Sequence, residues 1–399
     1  MTSCKMAPRQ LVKTTRRAGQ RRYENSLHEF PSSIGGGHTT YVLNLFKELR
    51  YRHEVHVAAP STSALNQLAR RVDRNRVSDL DFPGKLKELP VIFINLFRLH
   101  RLLRHGCYDV VHVNGSPDHR LVALACRGLS RKPAIIYTKH NSFPLSANRF
   151  SRRRYRHLTD AIILVCDQQA RMFEEIGFPR SRLFIIKNGV DTNHFVVWPD
   201  PQYTETRQRL GLSMNDLVLI SVAGTDLHKG WPIMVEAISR IKDPRVKIII
   251  CGAVPSKEVQ TRHVDALGMR SQVIFPGLVE DVRPFIAASD MGFVLSHGVE
   301  TISFACREMM AMGKPVLVSN YACLPDNVIP GETGWVVEVG DVSAIATLVE
   351  HIRADRNTMA AMGKAARHQA TTDFSIENFV NRTEQVYLAA LAARTPTAL

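Results

Sequence analysis

Along most of the chain, short apolar runs alternate with longer stretches whose apolar residues recur every three or four positions. The runs read as buried strands and the longer stretches as amphipathic helices. From about Phe30, a triple glycine (Gly35, Gly36, Gly37) leads into a helix from about Thr39 to Arg50, and EVHVAAP follows as a strand. KLKELPVIFINLFRLHRLLRHG, residues 85–106, predicts a helix, YDVVHVNG a strand, and the next helix runs to Arg127. KPAIIYTKHNSF predicts a strand ending in the polar run Thr138, Lys139, His140 and Asn141. A strand at 160–166, the helix QQARMFEEIGF and the strand and turn LFIIKNGVDTNHF complete this half. VVWPDPQYTETRQ, residues 196–208, is polar and proline-bearing and predicts a linker. The alternation then restarts at DLVLISVAGTDLHKGWPIMVEAISRI and continues through RVKIIICGA, QVIFPGLV and PVLVS. GETGWVVEV suggests a hairpin-like piece, and the remainder to about Ala393 is helical. Strands alternating with helices imply parallel sheets, so the expected class is α/β, with two doubly wound units. The expected divisions are an irregular basic segment over 1–30, domains over 31–198 and 209–373, and a terminal helical stretch over 374–399.

Residues 297–320, HGVETISFACREMMAMGKPVLVSN, concentrate the candidate chemistry. A helix is expected from Ile302 to Met312, stopping at Gly313 with Pro315 beyond. Glu300 precedes it and Glu308 lies inside it. Eight helical residues advance ~12 Å, about the span from the sugar to the ribose of a nucleotide-sugar. The free amides of a helix start between two such acids would suit a diphosphate. On spacing alone, a core helix carrying two unrelated acids stays open. Lys229, beside Gly230 where a loop enters a helix, can place an ammonium on the same diphosphate, or be an exposed loop lysine. His140 stands at a strand's carboxyl end, where open α/β sheets bind ligands. Asp79 and Asp81 form a D-x-D ahead of a loop and read as a surface turn.

Length and charge refine this picture. A chain of 399 residues exceeds one ordinary domain. No apolar run reaches the ~18–20 residues of a membrane span, and no secretory signal pattern is legible. The seven cysteines are scattered without a C-x-x-C pair, which suggests reduced thiols in a cytoplasmic protein. The net charge of +15 is uneven. Residues 1–190 hold 33 Lys+Arg against 14 Asp+Glu, and residues 191–399 hold 19 against 23. A basic half implies an anionic partner: nucleic acid, an anionic membrane surface or a phosphorylated lipid. Helix 85–106, mixing large apolar residues with Arg98, Arg101 and Arg104, suits either a membrane surface or a core. Residues 1–30 show no periodicity and read as disordered.

Taken in order, Gly35–Gly37 with its helix, YTKH, KNGVDTNHF, AGTDLHKG and HGVETISFACREMMAMGKPV resemble the retaining glycosyltransferases of family 4, of the kind that builds bacterial lipopolysaccharide or surface polysaccharide. The resemblance covers about residues 30–390 and implies the GT-B fold, two Rossmann-like domains facing across a cleft. It implies Glu300 by the donor sugar, Glu308 on the nucleotide ribose and Lys229 on the leaving diphosphate. It implies amides near Ile302 and Ser303 at the phosphates, with Gly36, Gly37, Gly224 and Thr225 in the donor site. His140 would reach the sugar from the opposing domain. No metal and no cofactor beyond the nucleotide-sugar substrate is implied. The implied acceptor is a lipid-linked or lipopolysaccharide glycan at the anionic inner face of the cytoplasmic membrane, and no nucleic acid. The chain departs from the pattern where Thr225 replaces a basic residue and Ile302-Ser303 replaces Phe-Gly. The first strand before the glycine loop is also not legible in residues 1–30. Two other readings are a nucleotide-sugar 2-epimerase on the same fold and an inactive or nucleic-acid-binding basic protein. The first needs more carboxylates, and the second more aromatic residues than the 7% present.

Overall fold

The computed structural model describes residues 21–26, 36–83, 88–145, 148–298 and 300–394. In the first domain, strands β1 (Arg22–Ser26), β2 (Glu54–Ala59), β3 (Val77–Asp79), β4 (Val110–Val113), β5 (Ala134–Lys139), β6 (Ala161–Leu164) and β7 (Leu183–Ile185) form one sheet. Helices α1 (Gly37–Leu49), α2 (Ala64–Asp73), α3 (Leu89–Gly106), α4 (Ser116–Ala125), α5 (Arg149–Leu158) and α6 (Gln168–Glu175) connect them. In the second, α7 (Asp200–Arg209) leads to β8 (Leu217–Ser221), α8 (Trp231–Ile241), β9 (Val246–Cys251), α9 (Lys257–His263), β10 (Val273–Gly277) and α10 (Arg283–Ala287). Strand β11 (Met291–Val294), α11 (Phe304–Ala311), β12 (Val316–Ser319), β13 (Gly334–Val337), α12 (Val342–Ala354) and α13 (Arg356–Thr372) follow, and α14 (Ile376–Ala392) ends the described chain.

The strand orders are β3-β2-β1-β4-β5-β6-β7 and β10-β9-β8-β11-β12-β13. The ladders within both sheets are parallel. Helices cover both faces, so β4, β6, β8, β11 and β12 are buried at every position. That is why they read as continuous apolar runs rather than as alternating ones. Each sheet carries one apolar core per face. Helix α14 returns to the first domain, where Phe379, Val380, Val386 and Tyr387 join the core beneath α1.

Several expectations are corrected. The first strand exists: β1 pairs with both β2 and β4 at the centre of its sheet. Its sequence, RYENS, contains one large apolar residue, Tyr23, which is 1% exposed. Cross-strand pairing, not an apolar run, defines it. Most of the expected linker is helix α7, whose buried Arg207 donates to Asp290 and to the Ala288 carbonyl. The hairpin-like piece is a single strand, β13, parallel to β12. Cys166 and Cys323 are joined in a disulfide between the domains, with Cα atoms 6.2 Å apart. Their separation of 157 residues hid that pairing. Gly35, and residues 1–20 and 27–34 of the N-terminal segment, lie outside the described residues.

The chain passes between the domains at Val190 and again at Phe374–Ile376, and these two passages bond to each other. The Val190 amide donates to the Phe374 carbonyl at 2.8 Å, and the Ile376 amide to the Val190 carbonyl at 3.0 Å. A side chain at Gly189 would meet Phe379 Cβ at 2.7 Å, so glycine permits this approach. Arg307 of α11 ends at the same place, fully buried. Its guanidinium donates to the Asn188 carbonyl and to Asn327 Oδ1, and lies 4.2 Å over the Phe374 ring. Replacing Arg307 by alanine leaves these acceptors unpaired and opens a void. The expected cost is about 3 kcal/mol or more of unfolding free energy, read as a lower urea midpoint; an unchanged midpoint contradicts this anchoring role.

Candidate active site

A cavity of about 520 Å³ lies between the domains. Its second-domain wall comes from the segments after β8, β9, β10 and β11, the carboxyl ends of parallel strands, where such sheets bind ligands. The first domain contributes Gly36, Gly37 and Thr40 at the start of α1. A Cβ on Gly37 would stand 3.3 Å from Phe304, so the two helix starts nearly touch across the cleft.

Glu300 sits in the loop before α11, which begins at Phe304, two residues later than the spacing predicts. Glu300 Oε2 accepts from Lys229 Nζ at 2.9 Å and from Ser296 Oγ at 3.3 Å, and Oε1 accepts from the Thr301 amide at 3.3 Å. Both charges of the Lys229–Glu300 pair are mostly buried. Lys229 is placed there by a one-turn helix, Leu227–Lys229, ending at Gly230, whose φ is +77°. A Cβ on Gly230 would lie 2.0 Å from the Leu295 carbonyl oxygen, so no other residue fits.

Ser303 caps α11, its Oγ accepting from the Cys306 amide at 3.4 Å. The first amides of the helix, at Phe304 and Ala305, have no intrahelical acceptor, and both residues line the cavity with Ile302 and Ser303. Glu308, one turn further on, also lines it. Its carboxylate has no hydrogen-bond partner among the described residues, and burial pushes its pKa up to about 7. A desolvated acceptor facing a cavity is suited to neutral donors such as vicinal hydroxyls.

The structure thus brings Glu300, Lys229, Glu308, Gly36, Gly37, Gly224, Thr225, Ile302 and Ser303 to one cavity. Thr225 is already committed: its hydroxyl donates to the Ala253 carbonyl at 2.5 Å. His140 does not line this cavity. Its Nε2 pairs with Asn114 Oδ1 at 3.0 Å and its ring packs on His38 and Tyr41. Burial, then the nearby His38, His112 and Lys139, hold its pKa well below the usual range, so the ring is neutral. Asp79 is held by Asn66 and Arg70 at the sheet edge, away from the cavity. Among the described residues, Cys166, Cys323 and Asp326 are the group close enough to hold a metal, but the disulfide consumes both thiolates. The Lys229–Glu300 pairing and the Arg307 anchor were not legible in the sequence. No local pattern links residues 71 apart or marks one arginine inside a helix.

Two Rossmann-like domains facing across a cleft are the GT-B architecture. The family model "Glycosyltransferase Family 4" matches residues 35–194, and "Glycosyl transferases group 1" matches residues 202–369. The chain belongs to the family 4 glycosyltransferases, retaining enzymes of the GT-B fold. It is 28% identical over 379 residues (91% of this chain, 96% of the relative) to a GDP-mannose-dependent α-(1-6)-phosphatidylinositol monomannoside mannosyltransferase of Mycolicibacterium smegmatis. It is 23% identical over 312 residues (74% and 79%) to a UDP-Gal:α-D-GlcNAc-diphosphoundecaprenol α-1,3-galactosyltransferase of Escherichia coli. In fold it is similar to Anabaena HepE in complex with UDP, with a TM-score of 0.78, 19% identity and coverage of 92% and 100%. A glycosyltransferase of Rickettsia africae superposes with a TM-score of 0.81, 16% identity and coverage of 94% and 99%.

The free Glu308 carboxyl is expected to titrate near pH 7, well above ordinary glutamates at ~4.3. Carbon-13 labelling of glutamate side chains resolves it, with Glu308→Gln assigning the signal. A midpoint between pH 4 and 5 contradicts the desolvated site.

Proposed function

We propose that this transferase moves a hexosyl group from a nucleoside diphosphate sugar to a lipid-linked or lipopolysaccharide-type acceptor at the cytoplasmic face of an anionic membrane. The observation that carries the donor half is the cavity itself, with unpaired Glu308 at one end, the Lys229–Glu300 pair at the other and the α11 amides between. UDP-glucose occupies the fold's neighbour HepE, which supports a donor of this chemistry. The acceptors named for the mycobacterial and E. coli relatives are both phosphorylated lipids.

In this reading the Glu308 carboxylate accepts from the ribose hydroxyls. The α11 amides and the Ser303 hydroxyl meet the diphosphate. The arriving diphosphate draws Lys229 away from Glu300, and the freed carboxylate stands beside the sugar. The bond from C1 to the leaving phosphate oxygen breaks through an oxocarbenium-like state. The acceptor oxygen bonds C1 on the same face, and its proton passes to that phosphate oxygen, which preserves the anomeric configuration. Lys229 and the helix amides stabilise the charge growing on the diphosphate. That stabilisation takes the place of a metal, and no nucleophile on the enzyme is required.

The membrane half rests on α3 and α5, which pack on the same face of the first sheet. On α3, Phe93 and Phe97 are 66% and 67% exposed beside Arg98, Arg101 and Arg104. On α5, Phe150 is 70% exposed among Arg149, Arg152, Arg153 and Arg156. Exposed aromatics interleaved with cations suit an anionic bilayer. No described helix is long and apolar enough to cross a membrane.

Two measurements test this. Calorimetry with UDP-glucose and GDP-mannose should show affinity for one of them rising about tenfold between pH 6 and pH 8, as Glu308 ionises through pH 7. Glu308→Gln removes that rise, whereas Glu300→Ala leaves affinity and lowers turnover about a hundredfold or more; equal effects of the two variants overturn the two-ended site. In flotation, the protein should bind phosphatidylglycerol vesicles and not phosphatidylcholine ones. Phe93→Ser with Phe97→Ser should release it, and retention by the double variant removes α3 from the proposal.

A further inference from the structure

A second pocket, of about 290 Å³, opens in the first domain at the carboxyl end of β5, between the starts of α4 and α5. Three cations line it: Lys139, Arg120 and Arg154. No carboxylate does so among the described residues. Lys139 is 4% exposed, and its ammonium donates to Asn141 Oδ1 at 2.8 Å and to the Phe143 carbonyl at 2.7 Å. Both acceptors are neutral, and an ammonium has a third N–H to give. Arg154 Nε is buried with no partner. Burial and then the charge of Arg154 lower the pKa of Arg120, so the two guanidinium groups feel each other. The neighbouring Asp118 carboxylate, on α4, accepts from the Asn114 and Gly115 amides through Oδ2, and its charge partly offsets the effect of Arg154 on Arg120. Like charges gathered in a partly desolvated pocket are costly unless an anion joins them.

The surroundings say which anion. Leu145 and the exposed Phe150 complete the wall, so the pocket joins a cationic interior to an apolar rim. The loop over it also reaches the reaction cavity: Ser142 Oγ lies 3.4 Å from Thr301 Oγ1, and Thr301 follows Glu300.

We propose that this pocket binds the phosphate ester of a lipid-linked acceptor, with Lys139, Arg120 and Arg154 on the phosphate and Leu145 and Phe150 against the first carbons of the lipid. The inference rests on the transferase reading above, and its test separates the two. With UDP saturating the donor cavity, geranyl diphosphate, geraniol and inorganic pyrophosphate are titrated calorimetrically into the protein and into Lys139→Met and Arg154→Met. Arg154 lies on a partly exposed helix face, so its variant keeps the test open where Lys139→Met fails to fold. The expected result is measurable binding of geranyl diphosphate, about a tenfold or greater loss in each variant, no binding of geraniol, and unchanged UDP affinity. Unchanged geranyl diphosphate affinity in both variants overturns the proposal. Pyrophosphate binding as tightly as the lipid ester, with the same losses, overturns the lipid assignment and makes the pocket a free-phosphate site. Failure of the unaltered protein to bind UDP, measured separately, overturns the donor reading instead.

Discussion

The site depends on a buried cation whose described hydrogen-bond acceptors are neutral. Arg307 sits fully buried on α11, and burial lowers its pKa to about 9. The Asn188 carbonyl, the Asn327 amide oxygen and an aromatic face replace part of its water, while Nη2 has no partner among the described residues. The Asn188 carbonyl and the Phe374 ring lie where the chain passes out of the first domain and back into it. Glu308 is the next residue, on the adjoining helix face. Fixing Arg307 therefore fixes the azimuth of α11, and with it which way Glu308 and the first-turn amides point. A packed leucine at 307 would fill the volume but would hold neither Asn188 nor Asn327. The arginine links the donor-facing helix to both interdomain passages at once.

The Lys229–Glu300 pair solves a second problem, that of keeping a cation in a cleft until an anion arrives. An unpaired lysine there would lose hydration without compensation. Pairing with Glu300 offsets that loss, and Ser296 and the Thr301 amide hold the carboxylate in place. The pair is also self-limiting, because a diphosphate carries more negative charge than one carboxylate and competes for the same ammonium. Glu308 follows the opposite logic. It has no counter-ion among the described residues, and desolvation drives it towards neutrality until hydroxyl donors reach it.

How much of this was legible follows from where each signal resides. Strands buried on both faces leave continuous apolar runs, so β4, β6, β8, β11 and β12 could be read directly, and the doubly wound architecture with them. RYENS could not be read, because its place between two neighbours comes from backbone pairing and its one large apolar side chain, Tyr23, gives no pattern. Helix α7 was hidden because its sequence, DPQYTETRQR, is polar almost throughout and only Thr206 and Arg207 are buried. The spacing of Glu300 and Glu308 was legible as a motif, with Glu300 ahead of the helix as expected, though the helix starts later and leaves Glu300 three residues before the Ser303 cap. His140 was legible as a residue at a strand's end but not as one turned towards Asn114, Tyr41 and His38. Pairings over long separations, such as Cys166 with Cys323, leave no local trace.

The uneven charge gains a physical meaning once it is placed on the fold. The second domain, with a small acidic surplus, faces its cavity with amides, Asp226, one lysine balanced by Glu300 and an uncharged-prone glutamate. Such a surface recognises a diphosphate by geometry, since little net charge is spent on attraction. The first domain keeps its surplus on α3, on α5 and around Lys139, where no carboxylate lines the pocket among the described residues. Uncompensated charge acts over roughly 8–10 Å at physiological salt, further than any hydrogen bond. It therefore suits a partner met first as a surface and only then as a molecule. Under the proposed function the two halves divide recognition in that way: one reads a soluble donor by shape, and the other draws in a membrane-bound acceptor by field.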